Sequence, residues 1–371
     1  MDFDFSEEQE QLRDAVRKWV DKAYHFERHR HITKEGGFSR QAYAEIAGLG
    51  LCGLYVSEDH GGLGMGPIEG MIAMEELGRG IVHEPLTQTL ISSGVLGAYG
   101  SQELKSRWLP GLADGSALLV LAQQETQARY RLAECRTKAA QLAGGWLVSG
   151  AKSLVPVGDL ADAFLVPAMV GERLGLFLVE RRAEGVSTRA YGTQDGGRAA
   201  ELKLERTPAE LITLDGQAAL EQAIDIGIAA LCAEAVGVMD KTLAITVEYM
   251  NTRKQFGVTI ASFQALRHRM ADVKMQLELA RSMSYYASLK LNAPAEERRR
   301  ALARAKVQIG ASMRFVGQSA VQLHGGIGVA DEYLVSHYFK KLTSLEMTFG
   351  DSLHHLGEVS DRMLDSAGVF A

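Results

Sequence analysis

The groups best suited to chemistry in this sequence lie in its last 140 or so residues. Glu234, Glu346 and Asp351 are candidate proton acceptors, and His324, His354 and His355 are candidate acid–base groups. A base works only where its acceptor atom is held within hydrogen-bond reach of the proton it removes. Each candidate also has a plainer reading. Asp351 stands where "SLHHLGEVSDRML" needs an N-cap. Glu234 reads equally as a buried charge with a partner, and the histidines as helix-surface residues without metal-ligand spacing. Arg253 can meet a phosphate as a bidentate donor, or cap the carbonyl end of the long helix before it. Gly325 and Gly326 either admit close backbone approach or simply end a helix.

The elements that must position these groups fall into zones. With 371 residues, 46% of them hydrophobic, the chain exceeds one compact domain, and two or three are expected. The net charge is −6, with both signs interspersed, which argues against a nucleic-acid surface. Cys52, Cys135 and Cys232 are odd in number and widely spaced, so neither a disulfide framework nor a metal site is expected, and a reducing cytoplasm is. The start, "MDFDFSEEQEQL", has no apolar h-region and does not read as a signal peptide. No segment approaches the roughly 18 consecutive apolar residues of a membrane span.

Residues 1–118 read as helical. "SEEQEQLRDAVRKWVDKA" places Leu12, Val16, Trp19 and Val20 on one face, with a capping box from Ser6 and Gln9. Residues 119–214 alternate short β-forming runs such as "GGWLVSGAKSLVPV" and "LGLFLVE" with glycine and charged turns, the pattern of a small antiparallel β-domain. Residues 215–371 are helical again. The stretch from Gly216 to Lys254 is apolar nearly all round and belongs inside a bundle. The class is therefore α+β, with the β-domain between two helical ones.

Two stretches carry a resemblance: "NTRKQFGVTIASFQALRHRMADV" (251–273) and "AVQLHGGIGVADEYLVSHYFKK" (320–341). With "LGLCGLYVSEDHGGLG" near the start, they resemble the acyl-CoA dehydrogenases, end to end and in order. The resemblance implies an N-terminal helical domain, a middle β-domain and a C-terminal four-helix bundle. It implies FAD as cofactor and α,β-dehydrogenation of an acyl-CoA thioester, with a carboxylate removing the α-proton. By the same resemblance Arg253, Phe256, Gln322, Gly325 and Gly326 match residues that hold the FAD of a neighbouring subunit. "TQDGGRAAEL", "ALCAEAVGVM" and "HYFKKLTSLEMTFGDSLHHL" resemble the small subunit of pimeloyl-CoA dehydrogenase more narrowly.

The sequence also departs from the family pattern. The flavin-ring loop, usually Thr-Glu-Pro-x-Ala-Gly-Ser-Asp, becomes "QETQARYR" (Gln124 to Arg131), where Glu125 and Ala128 survive. The Lys-x-Trp-Ile-Thr strand becomes "KSLVP": Lys152 stays, Leu154 replaces Trp, and Pro156, without an N–H, replaces Thr. The usual base, in Tyr-Glu-Gly-Thr, falls on Phe349, and the alternative position on the long helix falls on Gly227. Asp351 is the first substitute. Glu346 shares the Phe349 face only if that turn is helical, and Glu234 lies two turns beyond Gly227.

Three readings follow. The chain is a silent small subunit that completes the flavin site of a base-bearing large subunit. Or it is a self-sufficient homo-oligomeric dehydrogenase with its base moved to Asp351. Or it is a flavin-free CoA-thioester binding protein on the same fold. The resemblance further implies a dimer or tetramer and electron-transferring flavoprotein as redox partner, while the cysteine and histidine spacing, the charge pattern and the lack of a long apolar run lead to the expectation of no metal, nucleic-acid or membrane partner.

Overall fold

The computed structural model describes residues 5–365. Six helices come first: α1 (Glu7–Ala23), α2 (Phe26–Lys34), α3 (Arg40–Gly48), α4 (Pro67–Arg79), α5 (Leu86–Tyr99) and α6 (Gln102–Ala113). Seven strands follow: β1 (Leu119–Leu121), β2 (Lys138–Leu142), β3 (Gly145–Pro156), β4 (Ala163–Val170), β5 (Arg173–Glu180), β6 (Val186–Gly192) and β7 (Arg198–Thr213). The remainder is α7 (Gly216–Thr252), a two-strand hairpin of β8 (Lys254–Gln255) and β9 (Val258–Thr259), then α8 (Gln264–Lys290), α9 (Ala295–His324), α10 (Leu334–Met347) and α11 (Ser352–Asp365).

The chain divides into two compact units. One comprises His31–Gly66 and His83–Gly227 and is built on the sheet. β7 is its spine. It pairs along most of its length with β3, through its first half with β6, and near its end with β5. β4 and β5 form a full antiparallel ladder, and β4 also runs parallel to β1 and to the start of β2. Ala163 to Ala168 are buried without exception, so β4 is a central strand. Parallel neighbours from distant parts of the chain satisfy its second edge.

The other unit comprises Met1–Arg30, Pro67–Val82 and Ile228–Ala371. α1 opens with the reciprocal capping box of Ser6 and Gln9 and buries Val16 and Val20. α9 is its axis, packing against α8, α10 and α11 and burying a face that includes Ala305, Lys306, Ile309, Met313 and Val316. Within α7 an 18-residue window is apolar enough to cross a membrane, yet 94% of it is buried in the protein. α7 is a core helix, apolar on all sides because protein surrounds it.

Candidate active site

The α7 and α9 C-termini meet through Tyr249, whose hydroxyl donates to the His324 carbonyl (3.3 Å) and whose ring stacks on the imidazole with centroids 4.3 Å apart. Met250, Ile260 and Leu323 close a small apolar cluster beside them. This contact brings Arg253, four residues past Tyr249, to the same end of the unit as Gln322, Gly325 and Gly326. The Arg253 side chain makes no hydrogen bond or ion pair with another described residue, so it does not cap α7. Gln322 is exposed. Gly325 is the C-cap of α9, with φ 65° and ψ −141° and its N–H bonded to the Gln322 and Val321 carbonyls, so helix termination accounts for it. A Cβ built on Gly326 would meet nothing within 4 Å, so packing within the described residues does not explain that glycine. Phe256 and Gly257 turn the β8–β9 hairpin with φ of 54° and 83°, positive at both centres as type I′ turns require. Phe256 is 92% exposed.

In the sheet unit, Glu125 faces inward. Its carboxylate accepts from Lys152 Nζ (2.8 Å), the Thr137 hydroxyl (2.7 Å) and the backbone N–H groups of Arg136 and Thr137. Burial opposes its ionisation, but Lys152 and these donors win and hold the carboxyl far below the usual range. Glu125 and Lys152 thus pin the loop to β3. Thr126 and Gln124 add bonds to Ser153. Leu154 sits at a bulge in β3 with φ 52°, half exposed, its N–H donating to the Tyr191 hydroxyl. Pro156 stays in strand register opposite Ala199.

The α10–α11 turn is built from buried polar groups. Lys306, fully buried on α9, donates to the Leu345 and Glu346 carbonyls, both at 2.8 Å. It thereby satisfies the last acceptors of α10 with a cation at the negative helix end. Burial lowers its pKa to about 8. Glu346 Oε1 accepts from the Ser352 N–H and hydroxyl. Asp351 Oδ1 accepts from the His354 N–H at 2.8 Å and caps α11. Between them Phe349 takes φ 57° and Gly350 φ 107°. A left-handed conformation costs a residue with a Cβ about 1–2 kcal/mol, so the surroundings must impose it at Phe349.

The helical-turn condition for Glu346 therefore fails. α10 ends at Met347, and the left-handed step at Phe349 takes the two residues off a common face. Glu234 is buried and paired with Lys341 at 2.7 Å. Gly227 lies buried within α7. Neither His324 nor His355 is a surface histidine: both are buried. His324 Nδ1 bonds the Ala320 carbonyl, and His355 Nε2 bonds that of Phe349. Sequence reasoning missed Lys306 and Cys135, whose thiol lies 3.6 Å from Lys152 Nζ. Lys306 left one signal, a cation in an otherwise apolar stripe of α9. Cys135 left none.

Residues 6–116 match the N-terminal domain family of the acyl-CoA dehydrogenases and residues 215–364 the C-terminal domain family. The probable acyl-CoA dehydrogenase YngJ of Bacillus subtilis is 30% identical, over 95% of this chain and 97% of its own. Among solved structures, a variant of the Tcur3481-Tcur3483 steroid ACAD is 30% identical with a TM-score of 0.91, over 98% of this chain and 99% of that one. The ChsE4-ChsE5 complex from Mycobacterium tuberculosis is 26% identical with a TM-score of 0.90, over 98% and 99%. The chain belongs to the acyl-CoA dehydrogenase family, and its cofactor is FAD. A guanidinium unpaired among the described residues, at the same end of the unit as two glycines that leave open space, fits a dinucleotide: Arg253 would hold a phosphate, and the glycines would let backbone approach it.

Proposed function

We propose that this chain is the small subunit of a two-chain acyl-CoA dehydrogenase and supplies no base. One observation carries the reading: each substitute carboxylate already has a structural task. Asp351 caps α11, Glu346 holds Ser352, and Glu234 pairs with Lys341. Phe349 and Gly227, at the two base positions, have no group that takes a proton. The end that would face the cofactor keeps the side chains of Arg253 and Gln322 without a partner among the described residues, and space open at Gly325 and Gly326. FAD, when bound, accepts the β-hydride of the acyl-CoA. This chain contributes binding and orientation, and a homologous large subunit contributes the carboxylate. The ChsE4-ChsE5 complex, named for two different proteins, supports the heteromeric arrangement.

The finer expectations rest on the narrower resemblance for the substrate, on the family resemblance for assembly and acceptor, and on the cysteine pattern for location. They are a dicarboxylyl-CoA such as pimeloyl-CoA as substrate, a dimer or tetramer as assembly, electron-transferring flavoprotein as acceptor, and the cytoplasm as location. The test compares the visible spectrum and acyl-CoA oxidation of the purified chain with those of the chain co-expressed with a base-bearing homologue. Activity confined to the mixture supports the reading. Equal activity of the chain alone overturns it and points to Asp351, where Asp351→Asn should then abolish turnover while still capping α11.

A further inference from the structure

The backbone at position 349 is held by a neighbouring side chain. The Phe349 carbonyl accepts from His355 Nε2 at 2.9 Å. His355 is 5% exposed, and its Nδ1 has no hydrogen-bond partner among the described residues. Only one tautomer serves this bond, that with hydrogen on Nε2 and a bare lone pair on Nδ1. Gly350, at φ 107°, leaves the space the ring needs: a Cβ there would lie 2.6 Å from both His355 Nε2 and His354 Cδ2. Lys306 fixes the carbonyl end of α10 on one side, and Glu346 and Asp351 fix the first turn of α11 on the other. His355 alone of these side chains bonds the backbone of residue 349 itself.

We propose that His355 is the positioning residue for position 349. Its Nε2–H holds the Phe349 carbonyl and so locks the left-handed turn, and the residue at 349 points in one direction whatever its side chain. The turn is then a prepared perch, on which phenylalanine presents an apolar surface where glutamate would present a carboxylate. The inference deepens the small-subunit reading, and it rests on that reading only for what the perch serves. Burial pushes the His355 pKa down to about 3, with Lys306, His354 and Arg299 adding repulsion, so the lock stays neutral and engaged across the physiological range.

The test uses crystal structures of the full chain carrying His355→Gln, His355→Met or Phe349→Glu. Glutamine keeps an N–H donor, whereas methionine fills similar space without one. The expected result is φ at residue 349 near its parent value in His355→Gln and in Phe349→Glu, and outside the positive region in His355→Met. Positive φ retained in His355→Met, or lost in His355→Gln, overturns the proposal. Should His355→Met not fold, the ¹⁵N shifts of the His355 ring in the parent decide. The Nε2–H tautomer is expected, and an Nδ1–H tautomer or an imidazolium overturns it. None of these readouts needs catalysis. An inactive mixture with a base-bearing subunit would remove the functional reading and leave the lock standing.

Discussion

Two regions meet α9, and they are finished to different degrees. At its C-terminus the side chains of Arg253, Phe256 and Gln322 are exposed, Gly325 ends α9 with φ 65°, and neither the Arg253 guanidinium nor Gly326 has a packing or hydrogen-bonding task among the described residues. Around Lys306, in the middle of the same helix, the polar groups of the α10–α11 turn are engaged: the ammonium by α10 carbonyls, Glu346 by Ser352, Asp351 by His354, and His355 by Phe349. A region whose donors are all spent is self-contained and can do chemistry only with the side chain it presents, here a phenyl ring. A region with exposed donors that the described residues do not use is free to take a ligand. On the proposed reading, the difference separates holding a cofactor from attacking a substrate, and this chain keeps only the first.

The largest expected effect tests how closed the turn is. His355 titrates at about 3 when folded, mainly because it is buried, against about 6.5 when unfolded. Below pH 6.5 the unfolded chain therefore binds a proton that the folded chain refuses, and stability falls as pH drops towards 3. The loss approaches on the order of 4 kcal/mol at the acid end and vanishes above pH 6.5. Urea unfolding across pH 4 to 7 measures it. In His355→Gln this part of the slope should disappear, and an unchanged slope would show that His355 is not sealed from water.

Next in size is Lys306→Met, which leaves the Glu346 carbonyl without this donor and the Leu345 carbonyl with only a 3.3 Å bond from the Thr348 N–H. A loss of about 2 kcal/mol is expected. Because folded Lys306 titrates at about 8 and unfolded lysine near 10.4, the unfolded state holds the extra proton between those values. Parental stability from this group therefore rises with pH there, and the variant's deficit widens. A deficit independent of pH would place the effect in packing alone.

Arg253→Met addresses the open region. Stability should stay within about 0.5 kcal/mol, as the side chain has no partner among the described residues to lose. FAD affinity of the assembled enzyme should fall roughly tenfold or more, the worth of a charge-assisted hydrogen bond to phosphate. The two effects read in one titration would sharpen the contrast. A destabilised chain with unchanged flavin affinity would erase it.

Much of this contrast could be read from sequence, and the unread part has physical causes. The Ser6–Gln9 capping box depends on adjacent residue types and was legible. So was the cap at Asp351, because a helix start that needs an acceptor advertises itself locally. Glu234 could be read as a buried paired charge because an apolar helix leaves it no other state. The break in helical phase at Phe349 was not legible: positive φ is signalled by Gly or Asn, and a phenylalanine there reflects imposition from outside. The burial of His355 depends on α9 packing against α11, a contact between distant segments with no local trace. The parallel pairing of β1 with β4 was hidden for the same reason.

The smallest effect separates the two readings of Asp351. Its Oδ1 caps α11 through the His354 N–H, so Asp351→Ala should cost about 1 kcal/mol, and Asp351→Asn, which keeps an acceptor, only a few tenths. If capping is the whole task, neither change alters turnover of the two-chain enzyme beyond its loss of folded protein. If the carboxylate takes the α-proton, Asp351→Asn abolishes turnover at nearly full stability, because an amide accepts a hydrogen bond but not a proton at neutral pH. The asparagine variant is therefore the sharper instrument. It holds the first turn of α11 in place and removes only basicity, so its kcat reports directly whether the turn is closed to chemistry or retains one active group.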